Sequence, residues 1–426
     1  VTSLINDKES KGDILEMIYV MPQGFDSYYV NAYDGSFNYM DMFIKELIPF
    51  IDKTYRTKAN RDNRAIVGYS MGGYGAMILG SKYLDHFSIS VPLSMSFRTD
   101  DQYMQEPSNG WNNQWGKIFG GVGLQGKDRL TDYYKKHSPF YYFNPQTSMN
   151  FSNMNFFIDC GDDEEQLLIG NDLLHVQMRD LGIEHEYRVS DGGHTSSYWR
   201  KSMEEVLSYI SCKFKGEIYS KEDVIESEEN FSGNMATDEI EGIETIVFKS
   251  RGYDNRLDNT AIYFIHDNWS STDIIKAINL LDISNDEKSF VVLSIDYSLL
   301  DTGLSSFAKS VIEKYSVSKN IGIGIGHGGS VLYDSSVNQS PNFSSLFLFD
   351  SFLGEEVKAP NRGTFYYIDI TDMGTNYRSA GELYTLCKQN NVMYEYRVRN
   401  GVDSKNSHMQ GVSLAKQFIL SQINNK

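Results

Sequence analysis

The chain has only three cysteines in 426 residues, Cys160, Cys212 and Cys387, an odd number without C-x-x-C spacing. Neither a disulfide framework nor a metal site is read from them, and no cofactor is expected. Positive charge is also scarce: 39 Lys+Arg against 57 Asp+Glu leave a formal net charge of −18. That balance argues against a nucleic-acid or anionic-membrane partner, because both demand Lys and Arg to meet phosphates or headgroups. No uncharged run of about 20 apolar residues occurs, which excludes a membrane-spanning helix. The sequence opens Val1, Thr2, Ser3 with neither an initiator Met nor a basic-then-apolar leader. A removed start or a fragment is therefore expected, and the compartment and oligomeric state are left open. Aromatics are plentiful, with 29 Tyr and 24 Phe, which excludes a disordered chain. At about 150 residues per domain, the length allows two or three domains.

Short apolar runs alternate with helical patterns over residues 17–212, as expected of a mostly parallel α/β sheet covered by helices. Residues 17–21 (Met-Ile-Tyr-Val-Met) predict a strand, 38–55 an amphipathic helix, and 64–68 a strand followed by a small-residue helix from Met71. Further strands are expected near 87–93, 155–160 and 184–189. From 213 to 243 the composition turns to Glu, Asp and Ser, which reads as an acidic linker. Beyond it the pattern repeats. Phe156-Phe157-Ile158-Asp159 is echoed by Tyr366-Tyr367-Ile368-Asp369, Glu186-Tyr187-Arg188-Val189 by Glu395-Tyr396-Arg397-Val398, and Gly68-Tyr69-Ser70-Met71-Gly72 by Gly324-Ile325-Gly326-His327-Gly328. Matches in one order predict a duplicated domain, with copies at 1–212 and 244–426.

Gly68-Tyr69-Ser70-Met71-Gly72 fits G-x-S-x-G, a strand-to-helix turn that exposes a serine hydroxyl at the carboxyl edge of a sheet. The backbone amide of Met71, at the helix start, would face a developing oxyanion. A serine hydroxyl is a weak nucleophile and needs a base that an acid orients. His194, in Asp191-Gly192-Gly193-His194 after the last strand, can reach across the sheet edge. The acid should lie between them in chain order, and Asp162-Asp163-Glu164-Glu165 supplies candidates. An aromatic stretch with Trp111 and Trp115 lies between Ser96 and Pro145, and a self-packed surface loop is one reading of it.

These residues together resemble the esterase D group of α/β-hydrolases, which includes feruloyl and acetyl-xylan esterases of carbohydrate esterase family 1, S-formylglutathione hydrolases and the antigen 85 mycolyltransferases. The likeness covers about residues 10–212. It implies Ser70 as nucleophile, His194 as base and Glu164 as acid, with Asp163 and Glu165 as alternatives because the loop is one residue longer. It implies hydrolysis of a carbohydrate-linked or small acyl ester, with the stretch between Ser96 and Pro145 covering the site and Trp111, Trp115 and Trp199 as candidates for substrate contact; acyl transfer to a sugar hydroxyl and a noncatalytic carbohydrate-binding or assembly role are the competing readings. Relatives also carry three strands before the one at 17–21, the third ending in a His-Gly turn that completes the oxyanion hole. Their absence predicts a first copy lacking its N-terminal strands, at a cost of about 2.7–4 kcal/mol of transition-state stabilisation for one lost donor.

In the second copy Ser70 corresponds to Gly326, so no acyl-enzyme chemistry is expected there. His266 stands where the His-Gly turn should be, and His408 falls near the place of His194 behind a longer loop. Gly324-Ile325-Gly326-His327-Gly328-Gly329 also satisfies the dinucleotide-binding G-x-G-x-x-G, but two predicted strands precede it, and that reading is the weaker one.

Overall fold

The computed structural model describes the chain apart from residues 1, 165, 220–225, 229, 232, 283–287, 301–302 and 425–426. The chain divides into two compact units, Val1–Ser220 and Lys221–Lys426.

The first unit holds four parallel strands, β1 (Ala65–Tyr69), β2 (Ile89–Leu93), β3 (Asn155–Gly161) and β4 (Glu186–Ser190), side by side in that order. Parallel strands need crossovers, and helices Met71–Lys82, Gln166–Asp180 and Ser196–Lys215 follow β1, β3 and β4. Every residue of β2 is buried, which is why it reads as an apolar run rather than an alternation. Val206, Tyr209 and Ile210 of the last helix pack on Ile89, Val91, Leu93 and Phe157, and Leu207 meets Ile5 and Ile14. Residues 94–154, between β2 and β3, form a cap of short helices around an aromatic core of Tyr103, Trp111, Trp115, Phe119 and Tyr134.

Residues 17–21, expected as a strand, are not one: Ile18, Tyr19, Val20 and Met21 lie exposed, and the Met17 N–H donates to Glu9 Oε1 at 3.2 Å. A strand exists only where its N–H and C=O groups find a ladder partner, and among the described residues of this unit β1 is flanked by β2 alone. The amphipathic helix expected over 38–55 is present as Tyr39–Met42, Phe43–Leu47 and Ile48–Thr54, the middle segment being a π-helical turn.

The second unit contains β5 (Asn234–Ile240), β6 (Ile243–Lys249), β7 (Asn259–His266), β8 (Phe290–Asp296), β9 (Val317–Ile325), β10 (Ser345–Phe349), β11 (Phe365–Thr371) and β12 (Tyr394–Arg399). Their order is β12-β11-β10-β9-β7-β8-β6-β5, parallel except that β6 is antiparallel to both neighbours. Here β7 lies between β8 and β9. Between β10 and β11 only residues 350–364 intervene, so this unit has no cap like that at 94–154. The linker expected at 213–243 is partly ordered: the helix before it runs to Lys215, and β5 lies within it. β5 is mostly exposed, an edge strand paired on one side, so its polar composition hides it from a sequence reading. Residues 220–225, 229 and 232 of that stretch lie outside the described residues.

Candidate active site

β1 ends in a turn that the helix Met71–Lys82 continues, and Ser70 sits at the turn with φ 56° and ψ −122°, a region costly for any residue with a Cβ. Its backbone is fixed on three sides: its N–H donates to Leu93 O (2.9 Å), and its carbonyl accepts from Tyr74 N–H (3.1 Å) and Ser96 N–H (3.0 Å). A Cβ on Gly68 would lie 2.1 Å from the Gly72 carbonyl oxygen, so the chain must be bare there. At Gly72 itself a Cβ would meet only Tyr29 Oη, at 3.7 Å.

Two loops at the carboxyl ends of β3 and β4 bring the other residues to Ser70. They are tied together by Asp162 N–H to Ser190 O (3.1 Å), Asp163 N–H to Gly192 O (3.1 Å) and Gly192 N–H to Asp162 Oδ1 (3.2 Å). His194 thereby lies with Nε2 at 2.8 Å from Ser70 Oγ and Nδ1 at 2.8 Å from Glu164 Oε2. With Nδ1–H donated to the carboxylate, Nε2 is free to accept the serine proton. The Glu164 side chain is wholly buried and the His194 ring partly exposed, so the acid is shielded while the base can meet substrate. Asp163 is exposed, and its carboxylate clusters with those of Asp162 and Asp191 rather than with His194. Glu165 lies outside the described residues. The Met71 amide belongs to the first helical turn, whose N–H groups have no intrahelical acceptor.

Sequence reasoning missed Ser94. It follows β2 with φ 45°, its N–H donates to Asp159 O (2.6 Å), and its hydroxyl donates to Glu164 Oε1, which also accepts the Gly161 N–H at 3.1 Å. Trp199 donates Nε1–H to Ser94 Oγ at 2.7 Å, stacks on Tyr69 at 4.3 Å and stands edge-on to His194 at 4.9 Å. A polar residue directly after an apolar strand was the available signal for Ser94.

Trp111 and Trp115 do not reach the site. Both are buried in the cap: the Trp111 indole donates to Gly121 O at 2.7 Å, Trp115 stacks on Phe119, and the Arg129 and Arg98 guanidiniums lie over the two indoles. Their large apolar area is spent on the cap's own core.

In the second unit Gly326 adopts φ 56° and ψ −122°, the dihedrals of Ser70, but offers no hydroxyl. Asp267 fills the space: its Oδ2 lies 2.7 Å from where a Cβ on Gly326 would be, and it accepts from the His327 N–H (3.1 Å) and Nδ1 (2.7 Å). That carboxylate takes the amide a dinucleotide phosphate would need, against the G-x-G-x-x-G reading. Arg399 pairs with Thr371 and Ser190 with Gly161; four residues on from each stand Asp403 and His194, and nine residues on stand His408 and Trp199.

Residues 6–210 match the family model described as "Putative esterase". Over 197 residues the chain is 28% identical to an esterase of Mycobacterium tuberculosis, covering 42% of this chain and 41% of that protein. It therefore spans well under two thirds of that relative's length. Over 201 residues it is 24% identical to an acetyl esterase of Caldicellulosiruptor saccharolyticus, covering 45% of this chain and 70% of that one. A solved ferulic acid esterase aligns with a TM-score of 0.40 at 24% identity, covering 50% of this chain and 76% of the other. The match falls on the unit that carries the serine, histidine and glutamate, and over residues 6–210 this chain is similar to that esterase family.

Proposed function

We propose that the first unit is a carboxylic ester hydrolase working through an acyl-enzyme on Ser70. The observation that carries this reading is the pair of 2.8 Å contacts joining Glu164 Oε2, His194 and Ser70 Oγ. Ser70 Oγ attacks the ester carbonyl as its proton passes to His194 Nε2, and the Met71 N–H meets the oxyanion. The imidazolium, held by Glu164, returns the proton to the departing alcohol. Water then repeats the sequence on the acyl-enzyme.

The substrate we infer is a small acyl ester of a sugar or a phenolic ester. Tyr69 and Trp199 form a stacked pair beside the triad, and Tyr69 is 53% exposed, offering an aromatic face to such a ring. The relative named acetyl esterase fits the small acyl group. A fluorophosphonate probe should label the chain once, at Ser70, and hydrolysis of p-nitrophenyl acetate should vanish with the label in Ser70→Ala. Labelling that persists in Ser70→Ala, or no labelling at all, overturns the reading. Trp199→Ala should raise KM for an acetylated xylo-oligosaccharide more than for p-nitrophenyl acetate.

We infer further that the second unit is a copy of the same fold without its nucleophile. Support comes from the equal dihedrals at Ser70 and Gly326, from φ 45° at both Ser94 and Asp350, and from the two last helices, Ser196–Lys215 and Lys405–Asn424, each of 20 residues.

A further inference from the structure

Where the first unit has Ser94, His194 and Trp199, the second has Asp350, Asp403 and His408. Asp350 is fully buried at the end of β10. Its Oδ1 accepts from the Thr371 N–H (2.7 Å) and hydroxyl (2.8 Å), whereas its Oδ2 has no hydrogen-bond partner among the described residues. That bare oxygen lies 3.6 Å from His408 Nε2 and 4.0 Å from the Arg399 guanidinium. His408 is 7% exposed, and Trp269 stacks on its ring at 6.2 Å. Its Nε2 lies 2.7 Å from Asp403 Oδ1, yet neither ring nitrogen makes a hydrogen bond of good geometry among the described residues. Burying an unsatisfied carboxyl oxygen and an unsatisfied imidazole together is costly unless something satisfies both.

We propose that Asp350, Asp403 and His408 bind one divalent transition-metal ion of the zinc class. The three donor atoms lie within 4.8 Å of one another. Metal–ligand bonds of about 2.0–2.2 Å set neighbouring donors roughly 3–3.5 Å apart, so sub-ångström shifts suffice to close the cluster on an ion. Charge points the same way. Arg399 commits its Nε and Nη2 to Asp369 through a bidentate pair at 2.6–2.9 Å and reaches Asp350 only at 4.0 Å, so the carboxyl groups of Asp350 and Asp403 face one imidazole, and a divalent cation between them would be held by both. One nitrogen and two oxygens suit zinc, manganese or iron(II) better than calcium or magnesium, which favour oxygen alone. The Asp403 side chain is 36% exposed and gives the ion a way in.

The test is calorimetric titration of the full chain, stripped with a chelator, using zinc chloride and, in parallel, magnesium chloride. One zinc per chain is expected, with no heat from magnesium. Asp403→Asn, a change at the exposed edge of the cluster that leaves the buried groups alone, should weaken zinc binding roughly tenfold or more, and His408→Gln should abolish it. Cobalt(II) should give a visible absorption band that His408→Gln removes. No zinc heat at about 100 μM, or the same affinity in Asp403→Asn, overturns the proposal. If His408→Gln does not fold, Asp403→Asn decides alone.

Discussion

A linear relay runs from Trp199 Nε1 through Ser94 and Glu164 to His194 and Ser70. Each member fixes the next, so effects should grade with distance from the serine. Glu164→Gln keeps the shape but removes the charge that orients the imidazole, and kcat on p-nitrophenyl acetate should fall roughly 10⁴-fold. Ser94→Ala removes one hydrogen bond to a buried carboxylate, of about 1.5–3 kcal/mol, so kcat should drop about 10- to 100-fold with KM little changed. A change confined to KM would mean Ser94 contacts substrate rather than positioning Glu164. Among the neighbouring acids, chain order alone could not separate Glu164 from Asp163; burial and the direction of the loop do.

Element by element, glycine positions discriminate between space and convention. Gly68→Ala drives a Cβ against the Gly72 backbone at 2.1 Å and should cost more than about 4 kcal/mol, read as loss of soluble protein or a large fall in Tm. Gly72→Ala meets only a hydroxyl at 3.7 Å, and gains up to about 1 kcal/mol of helix propensity, so Tm should hold or rise. If both variants behave alike, the spacing argument for this turn is wrong. In the second unit, Gly326→Ser should not label with fluorophosphonate: the new Cβ would press on Asp267 Oδ2, and Gly374 stands where Glu164 would be needed. Labelling there would show that the serine alone is what this unit lacks.

For the molecule as a whole, one buried carboxyl should shape stability against pH. Burial pushes the Asp159 carboxyl up to about 7, against a hydrogen bond from Ser202 (3.0 Å) and the nearby Tyr198 hydroxyl, both of which favour its charge, with the charges of Glu205 and Glu164 adding to the rise. If the second unit is a copy of the first, as proposed, the counterpart of Asp159 is Asp369, which receives Arg399, whereas Ser190 holds that arginine's place in the first unit. The folded chain thus holds this proton more tightly than the unfolded one. Its contribution to stability is complete below about pH 4 and is lost as pH rises through 7. Asp159→Asn should therefore raise Tm at pH 8 more than at pH 5, by at most a few kcal/mol in free energy. An equal change at both pH values would mean the carboxyl is charged throughout.

Local chemistry was legible in the sequence. The alternation of apolar runs and helical patterns named α/β layers, and Gly68-Tyr69-Ser70-Met71-Gly72 with a later glycine-flanked His194 named the serine and its partner, because turns and buried strands impose their residues at short range. Only the tertiary structure decided which residues share a space. It buried Trp111 and Trp115 in the cap, left residues 17–21 without a ladder, joined Ser94 to Glu164 across 70 residues and gathered Asp350, Asp403 and His408 at one end of a sheet. Such contacts depend on strand register and on which neighbour is present, and neither is written in the spacing of residues along one segment.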